Sequence, residues 1–247
     1  MNEENIKLHN GDCLEVMKDI HDNSVDMVLC DLPYGTTRNK WDSIIPLDKL
    51  WEQYSRICRD NAAIVLFSQA PFDKVLGASN LDMLKYEWIW EKENGTGFLN
   101  AKKMPLKIHE NILVFYKELP VYNPQMRSGT PYIAIRKDNP SKNYGEYHEC
   151  TTVSNGDRYP ISILKFKRDK NKVHPTQKPV ALLEYLIKTY TNEGMTVLDN
   201  TMGSGSTMVA CVNTNRKGIG IELDENYFNI AKERIDEAIE EKQSKLF

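Results

Sequence analysis

Asp31-Leu32-Pro33-Tyr34 follows directly on the apolar run Val25-Asp26-Met27-Val28-Leu29-Cys30, so a carboxylate, a proline-stiffened turn and an aromatic ring meet at the carboxyl end of an expected strand. That set suits a flat ring bearing an amine: the acid and a backbone carbonyl accept the amine's hydrogens while the aromatic face stacks. Nucleic-acid bases are rings of this kind. A second constellation, Val197 to Thr207, reads as strand, turn and helix start. Gly203 and Gly205 let its backbone turn tightly and approach a ligand closely, and the helix amino terminus that follows offers free N–H groups. Glu222 lies nineteen positions after Gly203, at the end of the next expected strand, where nucleoside-binding α/β folds place an acid on ribose hydroxyls. Met208 occupies the position of the third glycine of the dinucleotide fingerprint, which counts against a nicotinamide oxidoreductase. Asp199 at the strand end would repel a pyrophosphate, so a cationic adenosyl ligand fits the cradle better.

The elements that must hold these groups are legible as periodicities. Val25 to Cys30, Ala62 to Phe67, Tyr86 to Trp90 and Ile112 to Tyr116 read as strands, three of them nearly continuous in apolar residues, as expected where helices cover both faces of a sheet. A helix beginning near Pro46 carries Leu47, Leu50, Trp51, Tyr54, Ile57 and Cys58 on one stripe. Another begins near Pro179 with Leu182, Leu183, Leu186 and Ile187. Then follow a strand at Thr196 to Asp199, a helix through Met208 to Val212, a strand at Gly218 to Glu222, and a last helix with Phe228, Ala231, Ile235, Ala238 and Ile239 inward. The fold class is α/β, Rossmann-like, with a mostly parallel sheet and helices on both faces. From about Lys117 prolines, glycines and tyrosines interrupt a polar stretch without sustained period, an irregular insertion. The glycines of Asn94-Gly95-Thr96-Gly97-Phe98 suggest a mobile loop at a strand end, with Lys102 and Lys103 just beyond.

The 247 residues suffice for one large α/β domain carrying an insertion. No apolar run approaches the roughly 18 residues of a membrane helix, and Met1 to Asn5 lack the blocks of a signal peptide, so a cytoplasmic protein without membrane partners is expected. Cys13, Cys30, Cys58, Cys150 and Cys211 are scattered and suggest neither a disulfide framework nor a metal site. Net charge is -3, yet Glu118 to Lys172 holds ten Lys or Arg against six acids, a local +4 that leaves -7 for the rest. A charge run of this kind is as often a solvated face as a local site for an anionic partner.

Asp31-Leu32-Pro33-Tyr34 resembles the Asp-Pro-Pro-Tyr catalytic motif of amino-methylating DNA methyltransferases, and Asp199 to Thr207 resembles their S-adenosylmethionine loop, Asp-Pro-Phe-x-Gly-Ser-Gly-Thr. Gly11-Asp12-Cys13-Leu14 resembles the family's short amino-terminal element, and His174-Pro175-Thr176-Gln177-Lys178-Pro179 the stretch before its cofactor loop. The order of motifs resembles the β group, and the likeness runs from about Ile6 to Arg234. It departs at Leu32, which replaces a proline, and at Asn200-Thr201, which replace Pro-Phe. The resemblance implies that 1–117 is the catalytic half of one methyltransferase domain, 118–172 an inserted target-recognition region and 173–247 the cofactor-binding half. It implies that Asp31, Leu32, Pro33 and Tyr34 hold a flipped base, that Asp199, Gly203, Gly205 and Thr207 line the methionine part of S-adenosylmethionine, and that Glu222 binds its ribose. Asp12 would accept from the cofactor's adenine, and Thr176 and Lys178 would lie by its carboxylate. Asp12 equally has the position of a helix cap and Lys178 that of a solvated lysine. His174 is left outside the catalytic set. No metal is required.

The expected activity is transfer of a methyl group to N6 of adenine in double-stranded DNA. The rival within the family is N4 of cytosine, where serine often replaces the acid at the position of Asp31. A planar amine in RNA or in a protein amide, and a catalytically silent DNA-binding module, are more distant alternatives. The recognition sequence, a homodimer and a separate cognate restriction nuclease are left open by the sequence.

Overall fold

Along Val25–Asp31 successive side chains point into two different cores: Met27 and Leu29 into one, Val28 and Cys30 into the other, all with almost no exposure. A strand buried on both faces belongs to a sheet sandwiched by helices, which is why its sequence is an unbroken apolar run. In the computed structural model, which describes residues 5–35, 44–137, 139–141, 145–169 and 177–245, the chain divides into two units, Met1–Asn123 with Ser162–Phe247, and Pro124–Ile161.

The larger unit runs β1 (Ile6–Asn10), α1 (Cys13–Val16), β2 (Val25–Asp31), α2 (Leu47–Ile57), β3 (Cys58–Ser68), α3 (Phe72–Ala78), β4 (Leu84–Thr96) and β5 (Lys107–Phe115) before the smaller unit intervenes. The smaller unit holds β6 (Arg127–Ser128), β7 (Tyr132–Arg136), β8 (Asn139–Ser141), β9 (Gly145–Tyr147), β10 (Cys150–Ser154) and β11 (Asp157–Arg158). The larger unit resumes with β12 (Ile163–Lys165), α4 (Val180–Tyr190), β13 (Thr196–Asp199), α5 (Ser206–Asn213), β14 (Lys217–Glu222) and α6 (Glu225–Ser244).

Its eight-stranded sheet has the order β1-β14-β13-β2-β3-β5-β4-β12. β5 is antiparallel to β3 and β4, and the remaining pairs are parallel. From β2 the chain steps outward to β3, and from β13 it steps the other way to β14, so β2 and β13 flank the point where the winding reverses. Open α/β sheets present a crevice at such a point, beyond the carboxyl ends of the strands. α4, α5 and α6 cover the face of Met27 and Leu29, and α2 and α3 the face of Val28 and Cys30. Leu50, Trp51, Tyr54 and Ile57 of α2 are buried, as their spacing of three and four requires.

The sequence reading did not anticipate β1, β12 or α3. β4 is also longer than its apolar part: Asn94 to Thr96, expected as a loop, continue the strand, and Thr96 pairs with Lys107. Gly97, at φ 86°, then turns the chain into a single 3-10 turn, Phe98–Asn100, whose Phe98 and Leu99 are exposed.

The smaller unit contains three two-stranded antiparallel ladders, β7 with β10, β6 with β11 and β8 with β9. Within it the Arg158 guanidinium lies 4.5 Å from the centre of the Tyr132 ring and donates to Ser154 Oγ at 2.6 Å, and Arg127 donates to the Tyr159 carbonyl at 3.2 and 3.1 Å. Two of the arginines expected to meet DNA are thus also internal fasteners. The chain leaves the larger unit at Asn123, whose backbone N–H donates to Thr189 O at 2.8 Å and whose side-chain amide donates to Lys188 O and Thr191 O at 3.1 Å, satisfying carbonyls at the end of α4. It returns at Ser162, whose carbonyl accepts from Ile89 N at 2.8 Å and leads into β12 beside β4. Among the described residues no helix is long and apolar enough to cross a membrane, and no cluster of three potential metal ligands occurs.

Candidate active site

Met27 is paired with Val197 and Val28 with Leu198, so β2 and β13 deliver Asp31 and Asp199 to the same edge of the sheet. Between them opens a cavity of about 210 Å³ lined by Asp12, Asp31 to Tyr34, Lys178, Asp199 to Ser204, Thr207 and Glu222. The structure therefore brings together every described residue of the expected set except Gly205, whose contribution is to the backbone behind the loop. Thr176 lies outside the described residues.

Leu32 is 3% exposed and its side chain packs in the core with α2 and α3, which leaves its backbone as the part available to the cavity. The Tyr34 hydroxyl donates to Asp31 Oδ1 at 2.5 Å, and its ring stacks on Phe72 with centroids 5.3 Å apart. Lys178, expected beside a cofactor carboxylate or as a solvated lysine, lines the cavity and is buried, with its ammonium on Asp31 Oδ2 and 3.1 Å from Glu110 Oε2. Burial pushes the Asp31 carboxyl above the usual carboxylate range against the pull of Lys178, and the negative charge of Glu110 adds to the rise. For Lys178 burial opposes the charge, but Asp31 and Glu110 outweigh it and the ammonium is held more firmly than usual.

The loop after β13 is bound to its neighbours by the two residues that depart from the resembling motif. Asn200 Oδ1 accepts from the buried Tyr54 hydroxyl of α2 at 2.6 Å. The Thr201 hydroxyl donates to the Asp31 carbonyl at 3.0 Å and lies 2.9 Å from Cys30 Sγ. A residue of the glycine loop thereby fastens the backbone of the Asp31 motif, a link the sequence signalled only as a mismatch. Gly203 and Gly205 adopt φ of 52° and 77°, the left-handed conformation that glycine enters without steric cost. Glu222 Oε2 accepts from Gly203 N at 2.9 Å and Oε1 from Asp224 N at 2.8 Å, which fixes the carboxylate's direction while it lines the cavity. Asp12 caps α1 by accepting from Leu14 N at 2.8 Å and Glu15 N at 3.3 Å, and it lines the cavity as well. Asp199 is fully enclosed: burial pushes its carboxyl up to about 7, partly offset by hydrogen bonds from Thr207 and from Thr201 N.

Residues 25–233 match the family of DNA methylases. The chain belongs to this family. The methylase is 28% identical over 92% of its length to the type II methyltransferase M.HpaI of Haemophilus parainfluenzae, of which 73% is covered. It is 27% identical to the DNA adenine methyltransferase YhdJ of Escherichia coli (strain K12), covering 92% of this chain and 82% of the relative. Among solved structures, that of the M1.HpyAVI complex with S-adenosylmethionine superposes with a TM-score of 0.64 at 27% identity, over 93% of this chain and 99% of the other.

The cofactor of the methylase is S-adenosylmethionine. The cavity fits it: among the described residues its charged lining is four acids, Asp12, Asp31, Asp199 and Glu222, against one lysine that is already paired, an excess of negative charge suited to a sulfonium and an ammonium. A side chain at Gly203 would meet no protein atom within 4 Å, so the loop is open there for a ligand to approach the backbone. Sequence reasoning missed Glu110, Lys92, Thr201 and Asn200. Only the last two carried a signal, as departures inside a motif.

Proposed function

We propose that this methylase transfers a methyl group from S-adenosylmethionine to N6 of an adenine flipped out of double-stranded DNA. The observation that carries the reading is the carboxylate of Asp31 at the carboxyl end of β2, beside the glycine loop of β13 and fastened to it through Thr201. An acid at this position favours adenine over N4 of cytosine, and the resemblance to an adenine methyltransferase supports the same choice. The basic segment 118–172, which includes the unit Pro124–Ile161, is the target-recognition region in this reading, with lysines and arginines on phosphates and other side chains at base edges.

The exocyclic amine of adenine is a weak nucleophile because its lone pair is spread into the ring. Asp31 and the Leu32 carbonyl accept its two hydrogens and so turn the lone pair out of the ring plane, while the Tyr34 ring stacks on the base. Bound at the loop after β13, the cofactor supplies a methyl carbon on a positively charged sulfur, a leaving group that needs no acid. The amine held in this way would displace the sulfur as a neutral thioether, and Asp31 would take the surplus proton of the amine. Asp199, Gly203, Gly205 and Thr207 hold the methionine part, Glu222 the ribose hydroxyls and Asp12 the cofactor's adenine. What the protein contributes is chiefly position and a water-poor site.

Incubation with tritiated S-adenosylmethionine and unmethylated bacterial genomic DNA, followed by nucleoside analysis, tests the reading. Label in N6-methyladenine is expected. Label in N4-methylcytosine overturns the base assignment, and no label from folded protein overturns the activity.

Cofactor affinity should depend on pH through Asp199. Burial, despite the hydrogen bonds that oppose it, holds this carboxyl at about 7 in the free protein, so it is neutral below that pH and charged above it. A cationic ligand needs the charged form. Affinity is therefore full above about 7 and falls as pH drops, by up to about tenfold per unit. Calorimetric titrations across this range should show a slope that Asp199→Asn removes; an equal slope in the variant would exclude Asp199 as its source.

A further inference from the structure

Behind Asp31 lies a chain of four charges in alternating sign. Asp31 binds Lys178, Lys178 lies 3.1 Å from Glu110, and Glu110 binds Lys92. The side chains of both lysines are under a tenth exposed, at 8% and 4%, and Glu110 is 12% exposed. Lys92 and Glu110 come from β4 and β5, where Glu110 is paired with Trp90; Lys92, two residues along, shares the face of Trp90 and lies diagonally opposite. Burying three charges behind a half-buried fourth is unfavourable unless each is compensated, and an apolar filling of this space would stabilise the fold at least as well. The arrangement therefore points to function.

An ionised carboxylate offers about four lone-pair positions. Tyr34 takes one on Asp31 Oδ1 and Lys178 one on Oδ2, which leaves room for an incoming amine. A lysine ammonium has three hydrogens to donate. Glu110 Oε2 accepts no hydrogen bond from the described residues, so its hold on Lys178 is that of charge. With no second acid beside it, the ammonium would settle wholly on Asp31 and compete with the base; with no lysine, Asp31, half-buried near Asp199, would take up a proton and lose its accepting power.

We propose that Glu110 is a positioning residue for methyl transfer: it draws part of the Lys178 ammonium away from Asp31, so that Asp31 is both charged and open to the amine, and Lys92 balances Glu110 in turn. The inference rests on the reading of Asp31 given above.

The variant Glu110→Gln with Lys92→Met removes one acid and one base together and strands no buried charge, so it is the one to compare with the wild type and with Glu110→Asp. The single-turnover rate of label transfer to unmethylated genomic DNA should fall by about 10- to 100-fold in the double variant. Its affinity for S-adenosylmethionine by calorimetry should be unchanged, and Glu110→Asp should recover part of the rate. The acid limb of the rate profile should also move to lower pH, because Asp31 loses a neighbouring negative charge and gains the whole of Lys178. The groups facing Asp31 are Tyr34 from its own loop, Lys178 from the segment before α4, Glu110 of β5 and Asp199 of β13. A wild-type rate and an unmoved acid limb in folded double variant refute the inference. So does a fall in affinity that matches the fall in rate, which marks a purely structural role. If the wild type itself transfers no label, the functional reading fails and this inference with it.

Discussion

Alanine at position 31 should lower methyl transfer to DNA by about a thousandfold or more, the range lost when a positioned proton acceptor is removed. On the proposed mechanism three contributions vanish together: the acceptor for one amine hydrogen, the group that takes the proton released on transfer, and the partner that orients the Tyr34 hydroxyl at 2.5 Å. Cofactor affinity should change only a few-fold, because Asp31 stands on β2 whereas Asp199, the glycine loop and Glu222 stand on β13 and β14. Lys178 is not stranded by the change, since Glu110 remains 3.1 Å away. Labelled transfer paired with calorimetry separates the two effects. Asp31→Asn makes the sharper comparison, because it keeps the volume and replaces one acceptor by a donor; normal turnover in either variant would refute the role of the carboxylate.

Gly205→Ala should be the most damaging single methyl group in the cofactor loop. The residue sits at φ 77°, which costs an L-residue about 1–2 kcal/mol. The added carbon would also lie 3.0 Å from Ala231 Cβ and 3.1 Å from Ile235 Cδ1, both in the buried face of α6. Overpacking of this kind costs a further 1–3 kcal/mol or so. Together these imply a fall in Tm of roughly 5–15 °C for a chain of this size. Gly203→Ala has the strain without the collision, as nothing lies within 4 Å of the added carbon, so it should lose less stability. Thermal unfolding of the two variants decides: equal losses would mean that the approach of α6 does not matter.

What the sequence revealed divides along a physical line. Elements with a local period were legible, such as α2, whose stripe from Leu50 to Ile57 is buried, and β2, whose apolar run faces two cores. β1 was not, because Ile-Lys-Leu-His-Asn alternates apolar and polar with only two apolar residues, too short a pattern to stand out. α3 has only seven residues, too few for a period to declare itself. The same division holds for the site. Asp31, Asp199 and Glu222 were placed at strand ends by motifs a few residues long, and they line one cavity. Glu110 and Lys92 look from sequence like outward-facing charges of a two-sided hairpin. Only the pairing of β4 with β5 brings them together behind Asp31, and pairing register is a long-range property that no short window contains.

The anchoring of the smaller unit at Asn123 and Ser162 bears on how such an enzyme diversifies. Both posts are fastened within the larger unit, one to the last carbonyls of α4 and one to β4, and neither fastening draws on residues between 124 and 161. Meanwhile Asp31 and Asp199 stand on two paired strands linked by the Thr201 hydroxyl, and neither that pairing nor that hydrogen bond involves residues 124–161. On the proposed reading of this segment as the part that meets DNA, it can be exchanged as a cassette without redrawing the strands that carry Asp31 and Asp199, so one chemical engine can be directed to many addresses on a genome.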